Sequence, residues 1–270
     1  MSDKPEARAF FRSAVVEYDR AHYSARSFMT VRLERVLEIV DALALPPGAR
    51  VLECGCGPGH LVAALLRRGF DVVAIDTSPA MLALTRERAR ATPGGSPPRL
   101  QLASLEQLPH RDASFELVCS TGVIEYLRDD ATALREMARV LRPGGHLVLS
   151  VTNAWSPVFV AERAIEFLKR QAWLRRAFNA LWTRLGHPPV RARHFAVRRH
   201  RPSRLREAFA MAGFRSPDGV YFHFLPWPHP LDRLFPEVSA RLGAPLERFG
   251  RGPLGVLGEG YLAVCEKPRV

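Results

Sequence analysis

The sequence predicts an α/β fold: a doubly wound, mostly parallel seven-stranded sheet with helices on both faces and a helical insertion after strand five. Three observations predict it. Short apolar runs alternate with helix-period segments at intervals of roughly 20–30 residues, the rhythm of a parallel sheet with crossover helices. A glycine-rich turn follows the first run and leads into a helix. An acidic residue, Asp76, ends the second run, where such sheets bind ligands.

The elements follow in order. Residues 10–27, with Phe10, Phe11, Tyr18 and Tyr23 among polar residues and Phe28 next to them, read as a short helical or irregular lead-in. Val31–Leu45 places apolar residues at 33, 36, 37, 40 and 43, a helical repeat closed by Pro46-Pro47-Gly48. Arg50–Cys54 is strand one, and Leu61–Arg68 is the helix after its turn. Asp71–Ile75 is strand two; Ser78 then caps a helix with Pro79 at its first position. Arg99–Ala103 and Phe115–Ser120 are strands three and four. Ala131–Leu141 is a helix stopped by Arg142-Pro143-Gly144-Gly145, and His146–Val151 is strand five.

The rhythm changes at Asn153. Val158–Leu185 carries two apolar stripes whose phase slips near Gln171, which predicts two helices or a kink. Arg191–Arg201 is a basic linker. Ser203–Gly213 reads as a helix capped by Ser203, Phe214–Phe224 as strand six, Leu231–Leu242 as a short helix and Tyr261–Glu266 as strand seven. The chain thus divides into residues 1–152, an insertion at 153–202, and 203–270, which completes the first part.

Of 270 residues, 47% are hydrophobic and 24% charged, which supplies a core and excludes wholesale disorder. A polar start and no long apolar run predict a cytoplasmic protein. Cys54, Cys56, Cys119 and Cys265 fit neither a disulfide framework nor a zinc site and read as buried thiols. The histidines show no metal-ligand spacing, so no metal is expected. The net charge is +12, and fourteen Lys/Arg against three acids place +11 of it between residues 154 and 215.

The chemistry centres on Val51-Leu52-Glu53-Cys54-Gly55-Cys56-Gly57-Pro58-Gly59-His60. Its glycines let the backbone turn tightly beside a ligand, and the next helix aims N–H groups at it. Asp76 can accept both hydroxyl hydrogens of a ribose. Three details disfavour a nicotinamide dinucleotide. His60 stands where that motif needs a small residue, and Glu53 would repel a pyrophosphate but suits a cationic amino acid. The Leu141–Gly145 turn is the third.

Together with Ala74-Ile75-Asp76-Thr77-Ser78-Pro79-Ala80-Met81-Leu82 and Glu136–Val151, the motif resembles the class I methyltransferases that use S-adenosylmethionine (SAM). The small-molecule enzymes of ubiquinone and menaquinone biosynthesis are the nearest in pattern. The resemblance covers about residues 31–152 and, more loosely, 203–224 and 260–267. It implies a Rossmann-like fold with SAM as cofactor. Glu53, Gly55, Cys56, Gly57 and Gly59 would hold the methionine part, Asp76 the ribose, and Thr77 and Met81 the adenine. Ser104 stands where the family has an acid for the adenine amine, and Leu105 should follow with its N–H toward the ring. Thr121 and Gly122 would lie beside the sulfonium. Tyr18 and Tyr23 read either as a lid or as packing.

The expected acceptor is small, lipophilic or aromatic, and methylated on oxygen or carbon. Candidate general bases are Glu125, His194 and His223. The basic insertion could close an apolar acceptor pocket, lie on an anionic membrane, bind RNA, or merely pack on the domain. Ser120-Thr121-Gly122-Val123 replaces the Asp/Asn-Pro-Pro-aromatic of nucleic-acid amino-methyltransferases and argues against that class. The alternative class is a non-catalytic SAM-binding or membrane-associated accessory protein.

Overall fold

Side chains alternate across a strand, so a strand buried on both faces must feed two cores. Strand β1 (Arg50–Cys54) does so: Leu52 and Cys54 enter one apolar cluster and Val51 enters the other. The computed structural model describes residues 27–93, 97–161, 171–184, 197–215, 217–227 and 236–269. The remaining strands are β2 (Asp71–Asp76), β3 (Arg99–Leu102), β4 (Phe115–Thr121), β5 (Leu141–Thr152), β6 (Asp218–Phe222) and β7 (Gly260–Glu266). They form one seven-stranded sheet in the order β3-β2-β1-β4-β5-β7-β6. Every neighbouring pair is parallel except those of β7, which runs antiparallel to both β5 and β6.

Among the described residues the complete α-helices are α1 (Phe28–Ala42), α2 (His60–Arg67), α3 (Pro79–Arg90), α4 (Asp130–Val140), α5 (Ala172–Arg184), α6 (Pro202–Met211) and α7 (Pro236–Gly243). Helices α1 and α2 cover one face through Val36, Val40, Leu61 and Leu65. Helices α4 and α6 cover the other through Leu134, Met137, Leu205 and Phe209. Three N-termini are fixed by side-chain oxygens that accept first-turn N–H groups: Ser27 from Thr30, Ser78 from Met81, and Asp129 from Ala131 and Thr132.

Several boundaries differ from the sequence reading, each for a local reason. Helix α1 begins three residues early because Ser27 supplies its cap. Helix α4 stops at Val140 and the chain passes directly into β5, where Leu141 pairs with Phe115. The Pro143–Gly145 excursion, read as a turn, is instead tied to the chain end: Gly144 N–H donates to Lys267 O at 2.8 Å, and Lys267 N–H donates to Gly145 O at 2.9 Å. Helix α6 is capped at Arg201 with Pro202 behind it, so Ser203 is not its cap. Strand β6 is shorter than 214–224. Phe214 packs edge-on against Phe209, and His223 leaves the strand conformation with φ of +59°. Within the insertion α5 is helical, while 162–170 and 185–196 lie outside the described residues. No helix among the described residues is long and apolar enough to cross a membrane.

Candidate active site

The chain leaves β1 toward β2 and β3, then returns to place β4 on the other side of β1. At such a reversal the loops after the two strands diverge and leave a crevice at their carboxyl ends. Here the crevice is a cleft of about 1100 Å³, open mouth included. Its wall carries Glu53, Gly55, Cys56 and Gly57 from β1 and its turn, and Asp76, Thr77 and Met81 from β2 and the start of α3. Ser104 and Leu105 follow β3, and Thr121 and Gly122 follow β4. Four separate stretches of the sequence reading therefore meet on one surface.

Two carboxylates define the electrostatics. Asp76 accepts the Gly57 N–H on Oδ2 at 2.9 Å and the Ser78 N–H on Oδ1 at 2.8 Å, which locks the glycine turn to the end of β2. Glu53 is 2% exposed, and its Oε2 has no hydrogen-bond partner among the described residues. Burial, and then the charge of Asp76, push its pKa up to about 8, against the opposing pull of Arg32 and the Val62 N–H. An orphaned carboxylate oxygen on a ligand-sized cavity wall is a receptor for a cation.

Sequence reasoning missed Arg32. It sits on α1, is 8% exposed, lines the cleft and leans over the Phe28 ring at 5.8 Å. Its guanidinium lies against Gly122, which has φ of +68°. A β-carbon there would collide with the guanidinium, so Gly122 is needed both for its backbone conformation and for its lack of a side chain. The helical periodicity that predicted α1 gives a buried arginine no signal, because burial of its charge is decided by the cleft and not by the helix. Arg32 presents a guanidinium and Glu53 an ionisable carboxyl to one cavity, a pair that complements an amino-acid zwitterion once Glu53 gives up its proton.

The other expected residues divide clearly. Gly59 is not on the cleft wall; it starts α2 with φ of +83°, and a β-carbon would meet Thr85 of α3 at 2.8 Å. Ser104 lines the cleft while its Oγ accepts the Glu106 N–H at 3.4 Å. Glu125 is buried, and its carboxylate accepts the Thr152 N–H at the end of β5 rather than lining the cleft. His223 is also away from the wall: its Nδ1 meets Glu259 Oε2 at 2.5 Å, and its ring packs edge-on against Phe28. His194, Tyr18 and Tyr23 lie outside the described residues. All four cysteines are buried and free, and burial raises their thiol pKa values.

Residues 52–149 match the family model described as a methyltransferase domain. This segment is a methyltransferase domain. The malonyl-acyl-carrier protein O-methyltransferase of Halorhodospira halophila is 36% identical over 150 residues, 55% of this chain and 48% of that protein. The ubiquinone biosynthesis O-methyltransferase of Xanthomonas axonopodis pv. citri is 35% identical over 136 residues, 50% of this chain and 56% of that one. The match thus spans about half the length of these relatives. Among solved structures, the magnesium protoporphyrin IX methyltransferase of Synechocystis PCC 6803, crystallised with S-adenosylhomocysteine (SAH), has a similar fold. Its TM-score is 0.65 at 15% identity, covering 98% of this chain and 100% of that one. The 4+2 cyclase SpnF shares the fold at a TM-score of 0.56 and 18% identity, covering 87% of this chain and 80% of that one. The fold therefore accommodates more than one reaction.

The methyltransferase domain supplies both carboxylates of the cleft, but not its arginine. Arg32, Met29, Leu33 and Val36 come from α1, ahead of the matched segment, and line the same cleft.

Proposed function

We propose that the protein binds SAM in this cleft and transfers its methyl group to an oxygen of a small, lipophilic or aromatic acceptor. The observation that carries this reading is the triad of Arg32, Glu53 and Asp76 on one cavity wall, with Glu53 Oε2 left unpaired. The residues fit the cofactor. Arg32 would pair its carboxylate, Glu53 its ammonium, and Asp76 its ribose hydroxyls, while Met81 and Leu105 offer apolar surface to the adenine. The printed names of the two relatives, both O-methyltransferases, support oxygen as the methylated atom.

When bound, SAM supplies an electrophilic methyl on a sulfonium. The chain's own contribution is alignment and exclusion of water, which can be worth on the order of 7–11 kcal/mol. Apolar Met29, Leu33, Val36 and Leu127 line the cleft beside the charged triad and keep water from the reacting atoms. Glu125 and His223 are engaged elsewhere, so the described wall offers no histidine as a base. An acceptor oxygen that is already acidic, a carboxylate or a phenolate, needs none. The test is mass spectrometry of cell extract incubated with the protein and methyl-labelled SAM. A labelled ester or ether made by the wild type and lost in Asp76→Ala supports the reading; equal labelling by both removes Asp76 from the site.

A further inference from the structure

A second pocket lies beyond the loop that follows β4. It encloses about 1070 Å³, open mouth included, and its wall is dominated by arginine. The segment 198–201 builds it. His200 N–H donates to Thr152 O and Ala154 N–H donates to His200 O, both at 2.9 Å, so a single parallel bridge to Asn153 ties this segment to the end of β5. Alternation then divides its side chains. Arg198 and His200 turn toward Asp130, Arg198 as a direct ion pair and His200 with Nε2 at 3.0 Å. Arg199 and Arg201 stack instead on aromatic rings, Arg199 over Phe159 at 4.3 Å and Arg201 over Trp155 at 5.0 Å.

The single acid of the pocket is thus consumed by Arg198 and His200. Among the described residues neither Arg201 nor Arg204 forms an ion pair. Stacking fixes the Arg201 guanidinium plane without neutralising it. Helix α6 adds one side of its first two turns to the wall, through Arg204, Leu205 and Ala208. His200, nine-tenths buried in the wall, keeps Nδ1 without a hydrogen-bond partner. Unneutralised guanidiniums on one pocket wall ask for one ligand chemistry, an oxyanion of more than one charge.

We propose that this pocket binds a phosphate group carried by the methyl acceptor, with Arg201 and Arg204 as its principal ligands. The proposal rests on the methyl-transfer reading for its place in the reaction. The donor cleft uses Val123, Tyr126 and Leu127 of the same loop that Arg198 grips from the other side through Ile124 O and Arg128 O. A phosphate held here would anchor the non-reacting end of an acceptor that reaches over that loop to the sulfonium.

The test uses the full chain saturated with SAH and inorganic pyrophosphate as the probe, followed by calorimetry. Wild type should bind pyrophosphate at one site. The double variant R201Q/R204Q should bind it at least roughly tenfold more weakly, the loss of about 1.4 kcal/mol or more, with SAH affinity and melting temperature unchanged. No pyrophosphate binding by wild type, or equal binding by the variant, overturns the proposal while SAH binding leaves the cofactor reading intact. Absence of SAH binding with the arginine-dependent pyrophosphate site preserved overturns the cofactor reading alone. Sedimentation with phosphatidylcholine vesicles, with and without phosphatidylglycerol, identifies the source. Binding to anionic vesicles that R201Q/R204Q abolishes assigns the phosphate to a lipid headgroup, and vesicle binding that is absent or insensitive to the variant assigns it to a soluble acceptor.

Discussion

Glu53 holds its proton to about pH 8 in the folded chain, whereas an ordinary glutamate loses it near 4.5. The folded state therefore binds more protons than the unfolded one across that window, and its stability falls as pH rises from about 4.5 through 8. Glu53→Gln abolishes this cost, so thermal unfolding at pH 9 should show the ligand-free variant more stable than the wild type, with the difference gone at pH 4. A variant no more stable at pH 9 would mean the carboxylate is not desolvated. The same residue should reveal the ligand. A cation seated against Glu53 favours its ionised form, so calorimetry in buffers of different ionisation enthalpy should record proton release on SAM binding at pH 6–7 that diminishes as pH rises through about 8. Gly122→Ala tests the other end of the zwitterion. Its β-carbon would displace the Arg32 guanidinium and strain the backbone, and SAM affinity should drop by about 1–3 kcal/mol. Unchanged affinity would show that Arg32 is not a ligand.

At the level of elements, the crossing of α2 and α3 depends on Gly59. An alanine there meets Thr85 and must also hold φ at +83°, so Gly59→Ala should lower stability by about 2–4 kcal/mol in denaturant melts. A loss under 1 kcal/mol would show that the two helices can slide apart. What the sequence disclosed follows the same division. The apolar runs placed the strands and the glycine turn placed the cleft, because both signals are local. The start of β5 was not legible, since Arg142-Pro143-Gly144-Gly145 carries turn chemistry, and its pairing with Lys267 is set from the far end of the chain. Glu125 reads as a candidate base because related enzymes have an acid there, and His223 because it falls in the region expected to form the acceptor pocket. Their engagement with Thr152 and Glu259 arises from neighbours 27 and 36 residues away, contacts that no local pattern encodes. Arg32 was missed for the converse reason: a helical face with one arginine looks solvated until the cleft is assembled around it.

For the molecule as a whole, charge and fold are unevenly shared. The sheet and its donor cleft occupy a nearly neutral part of the chain, whereas residues 154–215 carry +11 of the +12. The donor site should consequently respond little to salt, and binding that falls steeply with salt belongs to the basic segment. Because only the folded chain has the cleft, SAH at about one hundred times its Kd should stabilise by about 2.7 kcal/mol. For a chain of this size that corresponds to a melting shift of roughly 5–10 °C. The most direct measurement is calorimetric titration of the wild-type chain with SAM and with SAH, beside Asp76→Ala. One site per chain is expected for both nucleosides, with at least a tenfold loss in the variant (about 1.4 kcal/mol); no heat of binding from either nucleoside with the wild type, or equal affinity in the variant, would contradict SAM binding in this cleft.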